Sequence, residues 1–182
     1  MPVLEIARMG EPVLERVADE VIDAQDPVIQ KLLADMEETM REVGGIGLAA
    51  PQVFQPLRIV LFEVPEARGG VAVPLTRLIN PVIEPLSEER EEGPEACLSV
   101  PGMMGMVERY TRIRYTGLDE SGRPIDREAE GFHARVVQHE CDHLDGTLYP
   151  RRMKNLSKFG FASEMTRRLG LAPKGEESQD SR

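Results

Sequence analysis

His139-Glu140-Cys141-Asp142-His143 is the segment whose residue types and spacing carry the clearest chemistry in the chain. Residues four apart on a helix share a face, so His139 and His143 can present two imidazoles to one ion. Glu140 reaches the edge of the same site, where a carboxylate can take a proton from a water that the ion has acidified. The chain has only 3 histidines, and two of them lie here. Phe132 and Val136 precede His139 on the same predicted face, so an apolar wall runs into the pair.

Two histidines leave the ion short of ligands. A structural zinc site takes four protein ligands, whereas a catalytic one takes three and keeps a position open. Cys97, within Glu95-Ala96-Cys97-Leu98-Ser99, is the stronger candidate for the third. Its rival Cys141 stands roughly 200° around an ideal helix from His139 and points away from the ion. Upstream, Gly45-Ile46-Gly47-Leu48-Ala49-Ala50-Pro51-Gln52 reads as a glycine-rich loop whose small residues let a substrate backbone come close. It is not a phosphate loop, because no Lys-Ser/Thr follows the second glycine. Gln52 is a neutral amide able to donate to a developing oxyanion.

In this order, the Gly45–Gln52 segment, Glu95-Ala96-Cys97-Leu98-Ser99 and Gln138-His139-Glu140-Cys141-Asp142-His143-Leu144 resemble the three signature motifs of the peptide deformylases. The resemblance extends from about Ile6 to about Tyr149. It implies that Cys97, His139 and His143 hold one divalent metal ion and that Glu140 is the general acid and base. It implies further that Gln52 and the backbone N–H of Leu98 meet the oxygen of the tetrahedral intermediate. Ile46, Gly47 and Ala96 match positions that bind the peptide backbone in strand fashion, and Phe132, His133 and Val136 match the wall of a methionine pocket. Glu95 and Arg109 match an acid–base pair that braces the site. The implied substrate is an N-formyl-methionyl nascent chain, and the products are formate and a free N-terminal methionine. Iron(II) is the implied ion for activity, while a Cys/His/His set also accepts zinc, nickel or cobalt. The family usually has glycine where this chain has Ala96, and many members carry arginine where it has Met104. A methyl group and a missing cation are thus expected along the substrate path.

These residues need elements to position them. Asp26-Pro27 predicts a helix start, with Asp as cap and Pro at the first position. Ile29, Leu32, Leu33, Met36, Met40 and Val43 then recur at helical spacing until Gly44-Gly45 ends the run. Strands are predicted at Leu57–Val64, Arg77–Ile83 and Val107–Leu118, with Pro124–Ala129 returning as a partner after the Asp119-Glu120-Ser121-Gly122 turn. A helix carrying the histidines should run from about Gly131 to Gly146, and another over Asn155–Leu169. The polar segment 173–182 reads as a disordered tail beyond one catalytic domain over 1–172. Strands and helices without a βαβ rhythm predict an α+β fold. The resemblance implies the same class, with mainly antiparallel sheets around the histidine-bearing helix and further helices near both ends.

At 182 residues, with 41% hydrophobic and 30% charged residues, the chain can bury a core of ordinary size. No apolar run is long enough to cross a bilayer, and Met1–Ile6 lacks targeting character, which together predict a cytoplasmic protein. A net charge of −10 excludes nucleic-acid binding by bulk charge, and no sequence-specific reader is expected. Between Arg151 and Arg168, however, six basic residues stand against Glu164 alone, a local +5. By the family resemblance this basic stretch implies docking on the ribosome. Two rival readings are a metallopeptidase of the His-Glu-x-x-His type and a non-catalytic metal-binding protein. The first needs a third ligand after His143, where no histidine remains, and the second leaves Glu140 and Gln52 without a role.

Overall fold

The computed structural model of the protein describes residues 3–171, so the expected tail at 173–182 lies outside the described residues. Asp26 caps the first helix by accepting the Val28 N–H at 2.8 Å, and Pro27 opens helix α1 (Pro27–Glu42). Ile29, Leu33, Met36 and Met40 form its buried stripe. Gly44, at φ +67°, turns the chain out of the helix, a conformation that glycine adopts without a Cβ penalty.

Next come β1 (Gly47–Ala49), β2 (Ile59–Val64), a short helical turn α2 (Glu66–Gly69), β3 (Val73–Pro85), β4 (Arg90–Cys97), β5 (Val100–Tyr110), β6 (Arg112–Leu118) and β7 (Pro124–Glu130). The histidine-bearing helix α3 (Gly131–Leu144) follows, then β8 (Phe159–Phe161) and α4 (Ala162–Leu169). A five-stranded sheet has the order β1-β2-β3-β6-β7, and a three-stranded one has the order β4-β5-β8. Strand pairing within both sheets is antiparallel. Helix α3 sits in the middle and is buried along nearly its whole length. Ala134, Val137 and Leu144 pack with Val60, Phe62, Ile113 and Tyr115 of the larger sheet, where Phe62 meets Tyr115 edge-on at 6.0 Å. The α+β architecture with a central helix is therefore the one the chain adopts. No helix among the described residues is long and apolar enough to cross a membrane.

Three expectations need correction. The single strand over Val107–Leu118 is two strands in different sheets. Thr111 is the joint: its N–H donates to Glu89 O at 3.0 Å and its carbonyl accepts from Gly131 N–H at 2.9 Å, so ladder partners change there. A strand that bends can pass from one sheet to another without breaking its alternation. The helix over Asn155–Leu169 begins only at Ala162, because Phe159-Gly160-Phe161 instead pairs with Met103–Gly105 as an edge strand. The glycine-rich segment is likewise not all loop, since Gly47–Ala49 pairs with Val60–Phe62.

Helix α3 stops because Gly146 turns the chain at φ +65°, and a Cβ there would stand 2.6 Å from the Glu15 carbonyl oxygen. Gly146→Ala is expected to cost about 1–3 kcal/mol through crowding against fixed backbone. That is a drop of several degrees in Tm for a chain of this size. Thermal melting of the two proteins checks it, and an unchanged Tm would show that the turn relaxes freely.

Candidate metal centre and active site

Cys97 ends β4, while His139 and His143 lie one turn apart on α3. Their ligand atoms lie within 4.8 Å of one another, and Cys97 Sγ is 3.4 Å from His143 Nε2. Bonds of about 2.0–2.3 Å to a tetrahedral ion place ligand atoms roughly 3.3–3.8 Å apart, so the three fit a metal. Cys141 is buried on the other side of the helix and takes no part in the cluster. Burial pushes its thiol well above the ordinary range, as suits an inert core cysteine. At Cys97 burial also raises the thiol, but His143 and His139 outweigh it and hold the group well below its usual value. A thiolate is the form that binds metal.

The orientation of His139 follows from Glu95. Burial works against the Glu95 carboxylate, yet hydrogen bonds from Arg109 and His139 overcome it and keep it far below the ordinary carboxylate range. An ionised carboxylate only accepts, so His139 Nδ1 must donate to Glu95 Oε2 (2.8 Å), which leaves Nε2 for the ion. Arg109 grips both oxygens of Glu95, each at 2.9 Å. Arg135, one turn before His139, adds a third grip: its Nη1 donates to Glu95 Oε1 at 2.9 Å and to Val107 O at 2.8 Å. Arg109 in turn donates to Asp142 (2.6 Å), which also accepts from Arg152 at 2.6 Å. Tyr149 stacks on the His139 ring with centroids 6.1 Å apart.

The family resemblance implies the Glu95–Arg109 pair, whereas the motifs give no such role to Arg135, Asp142, Arg152 and Tyr149, which complete this brace. Arg135 left one usable trace. It is a charge four residues before His139, on a helix whose buried side has no room for an unpaired cation.

Gln52 is buried in the 3-10 turn after β1. Its Oε1 accepts the Ala49 N–H at 2.9 Å, and a backbone N–H can only donate, so the amide orientation is fixed. The NH2 end therefore faces the site, 3.1 Å from Ser99 Oγ and 3.4 Å from Cys97 Sγ. Glu140 is buried, and its Oε2 has no hydrogen-bond partner among the described residues. Burial lifts the Glu140 carboxyl to about 7, although His139 and His143 pull against it. Its place depends on Gly47, where a Cβ would come 2.1 Å from Glu140 Oε1.

A cleft of about 660 Å3 opens over these groups, lined among others by Ile46, Gly47, Ala96, Leu98, Phe132 and Val136. Its walls include β1 and β4, which are edge strands of their respective sheets. Arg135 takes the Glu91 and Gly93 carbonyls of β4, and Gln52 takes the Ala49 N–H of β1; beside Gly47 and Ala96 the outer edges border the cleft, where an extended peptide can add itself as a strand. Ala96 is exposed on that path, and Met104 lines the cleft as well. His133 is the exception among the expected residues, because it is not part of the lining. One position on from Phe132, it turns about 100° away along the helix. Its ring packs on Phe62 and Tyr115, with Tyr115 Oη 3.3 Å from its Nε2.

A family model described as "Polypeptide deformylase" matches residues 3–159. Over 162 residues the chain is 55% identical to "Peptide deformylase 1" of Bordetella pertussis, covering 86% of this chain and 90% of that one. It is 50% identical to "Peptide deformylase 1" of Nitrosomonas europaea over 163 residues, or 88% and 93% of the two chains. Its fold is similar to the Met-Ala-Ser-bound class I type b peptide deformylase of Acinetobacter baumannii, with TM-score 0.78, 34% identity and coverage of 84% and 99%. It is also similar to a Synechococcus elongatus peptide deformylase in complex with actinonin, with TM-score 0.78, 35% identity and coverage of 94% and 88%.

The two cysteines separate cleanly by experiment. Cys97→Ala is expected to lose its metal on dialysis, while Cys141→Ala keeps it. Metal content measured on both proteins decides, and a Cys141→Ala protein that comes out empty would overturn the ligand assignment.

Proposed function

Since the chain belongs to the peptide deformylase family, the metal-dependent hydrolases that take the formyl group off nascent polypeptides, we propose that the cleft over Cys97, His139 and His143 is where it does so. The observation that carries this is a buried carboxylate, one oxygen of which is unpartnered among the described residues, and an oriented amide NH2 beside that ligand set. Held by those three residues, a divalent ion would supply Lewis acidity and an acidified water. In this reading iron(II) is the working ion. Its support is the family resemblance, because the donor set itself also suits zinc, nickel or cobalt.

The protein's own groups do the rest. The formyl-methionyl end lies along the outer edges of β1 and β4, with Ile46, Gly47 and Ala96 as backbone partners. Phe132 and Val136 take the methionine side chain. Glu140 accepts the proton as water attacks that carbon, then returns it to the departing amine. A buried carboxylate with one oxygen unpartnered among the described residues is placed for both transfers. Gln52 Nε2 and the Leu98 N–H donate to the oxygen as charge develops on it. The Met-Ala-Ser bound by the Acinetobacter relative has the length and character of a product, which supports a peptide in this cleft. A peptidase reading would need a ligand after His143, and the described residues supply theirs before the helix, at Cys97.

We place the enzyme in the cytoplasm as one catalytic domain over 1–172, with the ribosome as its docking partner. The basic stretch gives this reading narrower support than its charge suggests. Arg151 pairs with Glu15, Arg152 with Asp142, Lys154 with Glu108, Lys158 with Glu92 and Arg167 with Glu164. Arg168 donates to the Ser157 carbonyl at 2.8 Å and has no carboxylate partner among the described residues. Surface pairs are weak, and a phosphate backbone can replace the carboxylates.

Formate release from N-formyl-methionyl peptides is the direct test. Glu140→Ala should keep its metal yet lose several orders of magnitude in rate. Gln52→Leu should lose about 10²–10³ in kcat, the usual effect of removing one oxyanion donor. An unchanged kcat in Gln52→Leu would remove the amide from the mechanism. For docking, reversing Arg167 and Arg168 to Glu should abolish low-salt co-sedimentation with ribosomes and leave short-peptide activity intact. Undiminished co-sedimentation would refute docking through this stretch.

A further inference from the structure

The charged side chains along the cleft are almost all committed. Glu95 and Arg135 bind each other, His139 donates to Glu95, and Glu140 is buried against Gly47. Arg68 differs. It stands exposed on the α2 turn and lines the cleft, with its guanidinium 5.8 Å from the centroid of the Phe132 ring. Its side chain forms no hydrogen bond or ion pair among the described residues, whereas Arg77, Arg109, Arg114, Arg135 and Arg152 each hold a carboxylate. Glu66, two residues earlier, does not share its face of the helical turn. The contact with Phe132 thus holds an exposed cation on a cleft whose lining also includes the uncharged Pro101, Gly102, Met103 and Met104.

What such a cation would meet follows from peptide geometry. A chain bound as an added strand alternates its side chains, so the first and third residues share a face about 6.6 Å apart. On the deformylase reading, Phe132 walls the pocket for the first side chain. The third side chain then passes beside that wall, within reach of the long Arg68 stem, while the second points to the opposite side. A carboxylate there would gain a forked guanidinium partner, and an ammonium would be repelled. We infer that Arg68 selects formylated chains with an acidic side chain at the third residue. The inference rests on the deformylase reading and adds substrate selectivity to it.

The test is kcat/KM for formyl-Met-Ala-Glu-Ser against formyl-Met-Ala-Lys-Ser, with formyl-Met-Glu-Ala-Ser and formyl-Met-Lys-Ala-Ser as the second-position pair. An exposed ion pair predicts about a three- to tenfold preference for Glu over Lys at the third residue, and little at the second. Arg68→Gln should bring the third-position ratio close to one, Arg68→Glu should invert it, and added salt should shrink it. Because each ratio is taken within one protein, a general loss of activity in a variant does not disturb it. An equal third-position ratio in wild type and Arg68→Glu would overturn the inference alone. A wild-type protein that deformylates none of the four peptides would overturn the underlying reading and the inference with it.

Discussion

The structure turns on one buried carboxylate. Glu95 sits at the end of β4 with its side chain only 4% exposed, and it accepts from Arg109, Arg135 and the ring of His139. Removing a charge from water is costly, and removing one partner from a buried pair typically costs about 3–5 kcal/mol. Each of these groups therefore holds the others in place. The network joins β4 to β5 through Arg109, β4 to α3 through Arg135, and α3 to the segment after it through Asp142 and Arg152. It is structural and chemical at once, because the same carboxylate decides which nitrogen of His139 is left for an ion.

That brace explains how two small sheets can leave edges open without losing their relative position. Exposed edge strands invite unwanted pairing, and proteins usually cover or blunt them. Here β1 and β4 border one recess, which Cys97, His139 and Glu140 also line. Substrate recognition can then rely on main-chain hydrogen bonds that any peptide offers, which suits an enzyme acting on many different chains. On the proposed reading, selectivity is left to the side chains around the recess, such as Phe132 and Val136 for the first residue. The room that Gly47 leaves for Glu140 shows how tightly β1 and this carboxylate share one space.

Charge along the sequence and charge in space differ in this protein. The basic run from Arg151 to Arg168 looks like an isolated cationic arm, yet its partners come from Glu15, Glu92, Glu108, Asp142 and Glu164. Much of it fastens the C-terminal segment onto an acidic body. Arg68 is the reverse case: inconspicuous in sequence, it becomes distinctive because folding places it on the cleft with no carboxylate partner among the described residues.

The sequence by itself determined the elements whose signals are local. Asp26-Pro27 and the apolar stripe behind it specified α1, and the i, i+4 histidines with their apolar approach specified α3 and its chemistry. Helical angle alone also favoured Cys97 over Cys141. Tertiary structure decided what depends on partners far along the chain. Strand β4 carried no hydrophobic alternation, because its buried residues include Gly93 and Glu95, whose company is Arg135 and Arg109. The division at Thr111 was hidden because alternation runs unbroken through a strand that changes sheets. Phe159–Phe161 became a strand only because β5 offered it an edge. Periodicity records which side of an element is buried. It does not record what lies on the other side, and pairing, edges and buried charge are properties of both.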